Sequence, residues 1–364
     1  MDTNTDLLND FFAKDQIRMG RGALLTHTPH PTPLDFDFDR VEGMLLGLAI
    51  GDALGNTTEG QNPSQRSAHY GEIHDYLPNH YAGGRAVGLP SDDSQMAFWT
   101  LEQWLADGKL DPERLAQRFC SERIFGIGKS VKEFVVNVKS GQPWYDSGPA
   151  SAGNGALMRI APVLVPHLST GTPALWADVA LATMLTHNDR AALSSSLAFS
   201  AMLWELLQMT APPEPLWWVE YYVSLARDLE GEETVYRPRG GAYTDYAGPL
   251  WRFVDTYVRA AYQQGVPALE ACNAWYSGAY LLETVPSVLI ILMHYADNPE
   301  TALIRAVNDT RDNDTVGAIV GAAVGALHGR RGLPERWIKN LLGRTGAADD
   351  GQLFRLLAQT RERL

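Results

Sequence analysis

Asn308-Asp309-Thr310-Arg311-Asp312-Asn313-Asp314-Thr315 leads without a break into Val316-Gly317-Ala318-Ile319-Val320-Gly321-Ala322-Ala323-Val324-Gly325-Ala326-Leu327-His328-Gly329. The second half is apolar, and Gly317, Gly321 and Gly325 fall on one side of a helix because residues four apart share a face. Glycine weakens a helix by roughly 1 kcal/mol against alanine. Three on one face therefore point to another backbone approaching closely. The first half is acidic. Asp312, Asp314 and the Thr315 hydroxyl can turn their oxygens toward one point at the helix mouth, where a cap needs a single oxygen. The cluster reads as half of a cation site.

A second helix of the same character begins at Val41. Gly43, Gly47, Gly51 and Gly55 recur at the same spacing among Met44, Leu45, Leu46, Leu48 and Ile50, a natural partner for the first glycine face. Asp52 interrupts it; a lone buried aspartate is more often hydrogen-bonded structure than chemistry. Glu59, in the loop just beyond, is the better candidate for a working carboxylate. Residues 61–90 read as loop, with Pro63, Pro78, Gly83, Gly84, Gly88 and Pro90. Ser91-Asp92-Asp93 then opens another helix, whose apolar positions include Met96, Trp99, Leu101 and Leu105. One Ser-Asp-Asp start is a good N-cap. Two acidic helix starts far apart in sequence say more. Ser91, Asp92, Asp93, Asp312, Asp314 and Thr315 together offer enough hard oxygens for one or two Mg²⁺ or Mn²⁺ ions.

Helical segments continue from Asp111 to about Val138, and Ser147 to Arg159 forms a small-residue loop entering an apolar stretch. Its backbone N–H groups suit a diphosphate. Thr186-His187-Asn188 separates two apolar helices, so His187 sits at a helix boundary where it can meet a ligand. Residues 211–249 are rich in proline and aromatics, an insertion that either packs on the core or covers a cleft, with packing the simpler reading. Trp275 to Tyr280 opens a helix reaching His294, and Pro299 begins one that ends at the acidic stretch. The tail from Gly332 reads as two short helices. No alternating β-branched run and no hairpin stand out. The expected fold is all-α and compact, with the site near several helix ends.

Residues 1–39 form a separate N-terminal extension ahead of a helical domain at 40–364. Leu7-Leu8-Asn9-Asp10-Phe11-Phe12 suits a short amphipathic turn, and Pro29, Pro31 and Pro33 favour an extended arm. If Asp35-Phe36-Asp37-Phe38-Asp39 is extended, its phenylalanines share one side. The arm either lies on its own domain or engages another protein.

The chain has 364 residues, 45 % of them hydrophobic, and a formal net charge of −13. With no basic stripe, bulk nucleic acid and anionic membranes are excluded as partners. Cys120 and Cys272 are its only cysteines, too few for a disulfide framework or a thiolate zinc site. No signal peptide and no membrane span are expected, which places the protein in the cytoplasm.

These motifs together resemble the ADP-ribosylglycohydrolase family, which includes dinitrogenase reductase-activating glycohydrolases and ADP-ribosylarginine hydrolases. The resemblance covers about residues 40–345. It rests on Gly47 to Gly55 with Glu59, on Asp92-Asp93-Ser94-Gln95-Met96, on Ser151 to Arg159, on Thr186-His187 and on Asp312-Asn313-Asp314-Thr315. It implies an all-α fold with a dinuclear Mg²⁺ or Mn²⁺ centre under an ADP-ribose cleft. By position, Ser91, Asp92, Asp93, Asp312, Asp314 and Thr315 would be the ligands, with Glu59 as the acid beside them. Asp92, Asp93 and Asp314 would thus serve catalysis as well. Ser151, Gly153, Asn154 and Gly155 would hold the diphosphate and distal ribose, with His187 close to the ADP-ribose and Tyr280 as an aromatic contact.

The implied reaction removes ADP-ribose from a protein side chain, arginine first. Two departures stand out: Thr310-Arg311 replaces a usual pair of glycines, and Asn313 a usual threonine. Arg311 would repel a cation or, turned outward, meet substrate. Some family members protect bacteria from their own ADP-ribosylating toxins. The alternatives are therefore an immunity-type protein that blocks an ADP-ribosyltransferase toxin through residues 1–39, or a pseudoenzyme that only binds ADP-ribose.

Overall fold

A computed structural model describes residues 3–32, 36–347 and 350–364. Its helices of eight residues or more are α1 (Asn4–Ala13), α2 (Asp39–Gly55), α3 (Pro63–Tyr70), α4 (Asp92–Asp107), α5 (Pro112–Ser121), α6 (Lys129–Lys139) and α7 (Ala174–Met184). They continue with α8 (Arg190–Leu206), α9 (Pro215–Glu230), α10 (Leu281–Tyr295), α11 (Pro299–Asp309), α12 (Asn313–His328) and α13 (Gln352–Arg363). Among the described residues the fold is all-α apart from one small hairpin. Among the described residues no helix is long and apolar enough to cross a membrane.

The centre of the molecule is the antiparallel pair α2 and α12. Gly43 faces Gly325, Gly47 faces Gly321 and Gly51 faces Gly317, each across a backbone carbonyl. A Cβ added to Gly317 would stand 2.6 Å from the Gly51 carbonyl oxygen, and at Gly47 or Gly321 it would be closer still. Both helices are buried almost throughout, α2 from Gly43 to Gly55 and α12 from Asn313 to Leu327. Around this pair pack α4, α8, α10 and α11, with α9 outside α8 and α10.

Several segments differ in detail from the sequence expectation. Pro78–Asn79 pairs antiparallel with Arg85–Ala86, a hairpin too short to leave an alternating pattern. The segment from Asp111 breaks at residues 122–128 between α5 and α6, where Gly126 takes a φ of 60°. The insertion does two things. Trp218, Val219 and Tyr222 of α9 pack in the core, and the loop that follows reaches the main cavity.

The N-terminal stretch is only partly extended. Thr3 caps α1 through its side chain, which lengthens the expected short turn into a helix from Asn4 to Ala13. Leu8 and Phe11 enter the core against α7. Asn4 Nδ2 donates to Asp178 Oδ1 (2.6 Å) and to the Leu110 carbonyl (2.9 Å). Farther along, the indoles of Trp176 and Trp204 donate to the carbonyls of His27 (2.8 Å) and His30 (2.9 Å). These residues lie on their own domain. Phe36 and Phe38 both rest against the core, and Phe38 also lies under Arg361, whereas Pro33 and Asp35 fall outside the described residues.

Gly47→Ala and Gly321→Ala each force a methyl group into a facing carbonyl. Overpacking of this kind costs about 1–3 kcal/mol or more, against a helix-propensity gain of about 1 kcal/mol. Urea denaturation should therefore show a net loss of stability in both; a gain would mean that the helices do not touch. Phe11→Ala should cost about 3 kcal/mol as a core truncation, and an unchanged midpoint would show α1 detached.

Candidate active site

The glycine pairing ends where chemistry begins. Gly55 lies against the backbone of Asn313 and Asp314, so the end of α2 abuts the start of α12. Asp52, one turn back, accepts from the Ser91 N–H (2.9 Å) and the Ser94 N–H (3.0 Å), which fastens the start of α4 to the same place. The aspartate that the sequence marks as structural is indeed hydrogen-bonded. Ser91 caps α4 and donates from Oγ to Asp93 Oδ2 at 3.0 Å.

Carboxylates from three segments meet here. Asp52, Asp93 and Asp314 each offer an oxygen within 4.8 Å of the others, and so do Glu59, Asp312 and Asp314. Asp314 belongs to both groups and joins them. Asp92 lines the same cavity, of about 500 Å³, as do Asp93, Glu59, Asp312, Asp314 and Thr315. Ser91 does not reach its lining, its hydroxyl being spent on Asp93.

Burial dominates the electrostatics. It lifts Asp92, Asp93 and Asp314 well above the usual carboxylate range, and neighbouring acids add to it: Asp52 first for Asp92 and Asp93, Glu59 first for Asp314. Asp312 is pushed up to about 6 by burial, held back by its hydrogen bond from Asn154 and by Arg239. Glu59 is pushed up to about 7 by desolvation, then by Asp312 and Asp52. Its side chain is nonetheless exposed in the cavity, which screens those charges. Asp93 Oδ1 is buried with no hydrogen-bond partner among the described residues. An orphaned carboxylate oxygen among other acids, in an all-oxygen set, fits a hard divalent cation.

Arg66 ties the two acidic loops together. Wholly buried, it donates to the carbonyls of Val307 (2.7 Å), Thr310 (2.8 Å) and Gln61 (2.9 Å) and to Thr58 Oγ1 (3.1 Å). Asn313 adds Nδ2 bonds to Thr58 Oγ1 (2.9 Å) and the Val307 carbonyl (3.2 Å). Glu59 is thereby set opposite Asp312. Tyr276 and Ser277 hold positive φ values of 76° and 45°, and the Ser277 carbonyl accepts from the N–H groups of Arg311 (3.2 Å) and Asp312 (3.1 Å). Arg311 itself turns away from the acids. Its guanidinium lies 4.1 Å from the Tyr276 ring centre and bonds Asn62, lining a different hollow.

Above the acids stands the small-residue loop. Ser151, Gly153, Asn154 and Gly155 line the cavity with His187 and Tyr280. Asn154 Nδ2 donates to Asp312 Oδ2 and to Thr284 Oγ1 (3.0 Å), joining wall to floor. Ser151 Oγ accepts from Ser130 Oγ at 2.7 Å, and Gly153 bridges to Tyr280. Gly155 must lack a side chain, because a Cβ there would lie 2.9 Å from His187 Cε1. Burial and then Arg159 push His187 down to about 3, so its ring is neutral at physiological pH.

The cavity also holds residues that sequence reasoning passes over: Gly126, Lys129 and Ser130 at the start of α6, Met158, and Arg239. Arg239 reaches it from the loop after α9 and forms a fork with buried Glu283, Nε to Oε1 at 3.0 Å and Nη2 to Oε2 at 2.7 Å. Gly240-Gly241 marks that loop in the sequence, but no spacing signal pairs residues 239 and 283.

The model of the ADP-ribosylglycohydrolase family matches residues 33–363. The chain is similar to the ADP-ribosylarginine hydrolase Tri1 of Pseudomonas putida, at 26 % identity over 83 % of this chain and 74 % of that one. It is equally similar to the ADP-ribosyl-[dinitrogen reductase] glycohydrolase of Rhodospirillum rubrum, at 26 % over 83 % and 90 %. A solved structure described as an ADP-ribosylglycohydrolase-related protein complex superposes with a TM-score of 0.65 at 25 % identity, over 91 % of this chain and all of that chain (100 %). The acidic helix starts thus occur in a chain that belongs to the ADP-ribosylglycohydrolase family, a family of metal-dependent hydrolases acting on ADP-ribosylated proteins.

Proposed function

We propose that this protein is a cytoplasmic, metal-dependent hydrolase that removes ADP-ribose from arginine side chains by cleaving the N-glycosidic bond. The observation that carries the reading is Asp314, shared between two carboxylate groups at the bottom of a cavity walled by N–H and O–H donors. The arginine linkage draws on the relative named as an ADP-ribosylarginine hydrolase.

Asp92, Asp93, Asp312 and Asp314, with Thr315 beside them, would hold two Mg²⁺ or Mn²⁺ ions, and Ser91, expected as a ligand, would instead orient Asp93. Bound there, such ions supply positive charge and an ordered water. The chain's own residues do the rest. Cleavage builds oxocarbenium-like charge at the ribose C1, and the site acts by fixing the sugar and the attacking water in line with it. Glu59, whose side chain opens into the cavity beside Asp312 and Asp314, moves a proton to the leaving guanidine or accepts one from water. Ser151, Gly153, Asn154 and Gly155 hold the diphosphate and distal ribose, and Tyr280 flanks the sugar. Fixing both reactants in this way contributes several kcal/mol, at about 7–11 at most. The described N-terminal residues are occupied by their own domain, so no observation favours a toxin-blocking role for them.

Asp312→Ala combined with Asp314→Ala should lower release of ADP-ribose from modified arginine at least about a hundredfold, with helicity by circular dichroism unchanged. Assays of arginine-, serine- and DNA-linked ADP-ribose with and without chelator test the linkage; turnover that ignores chelator refutes the reading.

Stability supplies a second test. Acids with raised pKa bind more protons folded than unfolded, so the metal-free protein loses stability as pH rises from about 4 through 7. The melting temperature in chelator should fall between pH 5.5 and 8, and Mn²⁺ should restore more of it at pH 8 than at pH 5.5. Asp312→Asn with Asp314→Asn should flatten both trends.

A further inference from the structure

His187 is 2 % exposed, yet it lines the cavity, and its two ring nitrogens have different surroundings. Nδ1 lies 2.9 Å from Thr186 Oγ1. Nε2 sits beside Gly153 and Gly155, where added Cβ atoms would lie 3.2 and 3.3 Å from it, and it has no protein hydrogen-bond partner among the described residues. Which nitrogen carries the proton is decided one step farther back.

Arg159 Nη2 donates to the same Thr186 Oγ1 at 2.8 Å. A guanidinium has no acceptor, so the hydroxyl must accept there. Thr186 is fully buried, and the one remaining partner within reach of its O–H among the described residues is His187 Nδ1. Had Nδ1 carried the proton, the hydroxyl hydrogen would be buried without an acceptor, a costly arrangement. Arg159 cannot swing away. Its Nε donates to the Gly155 carbonyl (3.2 Å), Nη2 also reaches the Ala182 carbonyl (3.0 Å), and its guanidinium lies 4.8 Å from the Phe119 ring centre.

We infer that Arg159 and Thr186 fix the His187 ring as the neutral Nε2–H tautomer, so that it donates a hydrogen bond to an oxygen of the bound ADP-ribose. The ligand half of this inference rests on the function proposed above; the tautomer does not. His187 is thus a donor and not a proton acceptor, and Arg159 and Thr186 are positioning residues. Gly153 and Gly155 leave open the side of the ring that carries Nε2.

Long-range ¹H–¹⁵N spectra of the imidazole-labelled full-length protein at pH 7.5, with the His187 signals identified by their loss in His187→Gln, test this directly. The expected result is one protonated Nε2 and one bare Nδ1, preserved in Thr186→Ser and lost in Thr186→Val. ADP-ribose affinity measured by calorimetry should fall about tenfold in His187→Ala and in Thr186→Val, and stay within about threefold in Thr186→Ser and in His187→Gln, whose amide can donate from nearly the same point. Wild-type protein with a protonated Nδ1 overturns the inference, as does His187→Ala binding ADP-ribose like wild type. Failure of wild type to bind ADP-ribose at all instead overturns the functional reading and the ligand named here, while the spectra still decide the tautomer.

Discussion

Two helix backbones in contact decide the geometry of this molecule. Glycines at every fourth position bring α2 and α12 closer than any side chain would permit. That contact fixes where α12 begins relative to where α2 ends, and the start of α12 carries Asp312 and Asp314. Asp52, on the same helix as the glycines, then draws in the start of α4 through the backbone of Ser91 and Ser94. Three chain segments remote in sequence are set by one packing surface, and the carboxylates converge as a consequence.

Convergence has a cost that the protein leaves partly unmet. Like charges in a buried space raise one another's pKa and oppose folding. A buried cation, Arg66, could have neutralised them, but its donors go to carbonyls of the flanking loops and to the Thr58 hydroxyl. It organises the acids without pairing with them. Arg239 is similarly committed to Glu283. The floor is left without a cationic partner and, among the described residues, with an unpartnered oxygen on Asp93, so a divalent ion that displaces its protons supplies the missing charge.

The parts legible in the sequence are those with short-range signatures. Glycine spacing announces the central helix pair, and acids beside a helix start announce the floor, because both patterns lie within one or two turns. Small residues from Ser147 to Arg159 announce the loop. Arg66 is invisible by the same logic: within Ser64-Gln65-Arg66-Ser67 it reads as a surface residue, and its bonds to the Val307 and Thr310 carbonyls span 241 and 244 positions. The fork between Arg239 and Glu283, and the chain from Arg159 to His187, likewise depend on tertiary distances that no local pattern encodes. The N-terminal prolines show the opposite failure. They signal extended backbone, but not that Trp176 and Trp204 wait beneath to bind their neighbours' carbonyls.

The two departures from the family's acidic motif take on different meanings once placed. Asn313 points away from the cavity, and its amide holds Thr58 and the Val307 carbonyl, the same loops that Arg66 clamps. It reinforces the seat of Glu59 and withdraws no oxygen from the floor. Arg311 is restrained on the far side by Asn62 and the Tyr276 ring, while its own N–H and that of Asp312 share the Ser277 carbonyl. A positive side chain one residue from Asp312 is compatible with a cation site because the Arg311 guanidinium is held by Asn62 and by the Tyr276 ring of the turn at Tyr276 and Ser277, in a different hollow from the cavity that Asp312 lines. Glycine at position 311 would leave that turn without the ring contact that now braces it. The altered residues therefore act on the scaffold that aims the acids, and the oxygen set itself is unchanged.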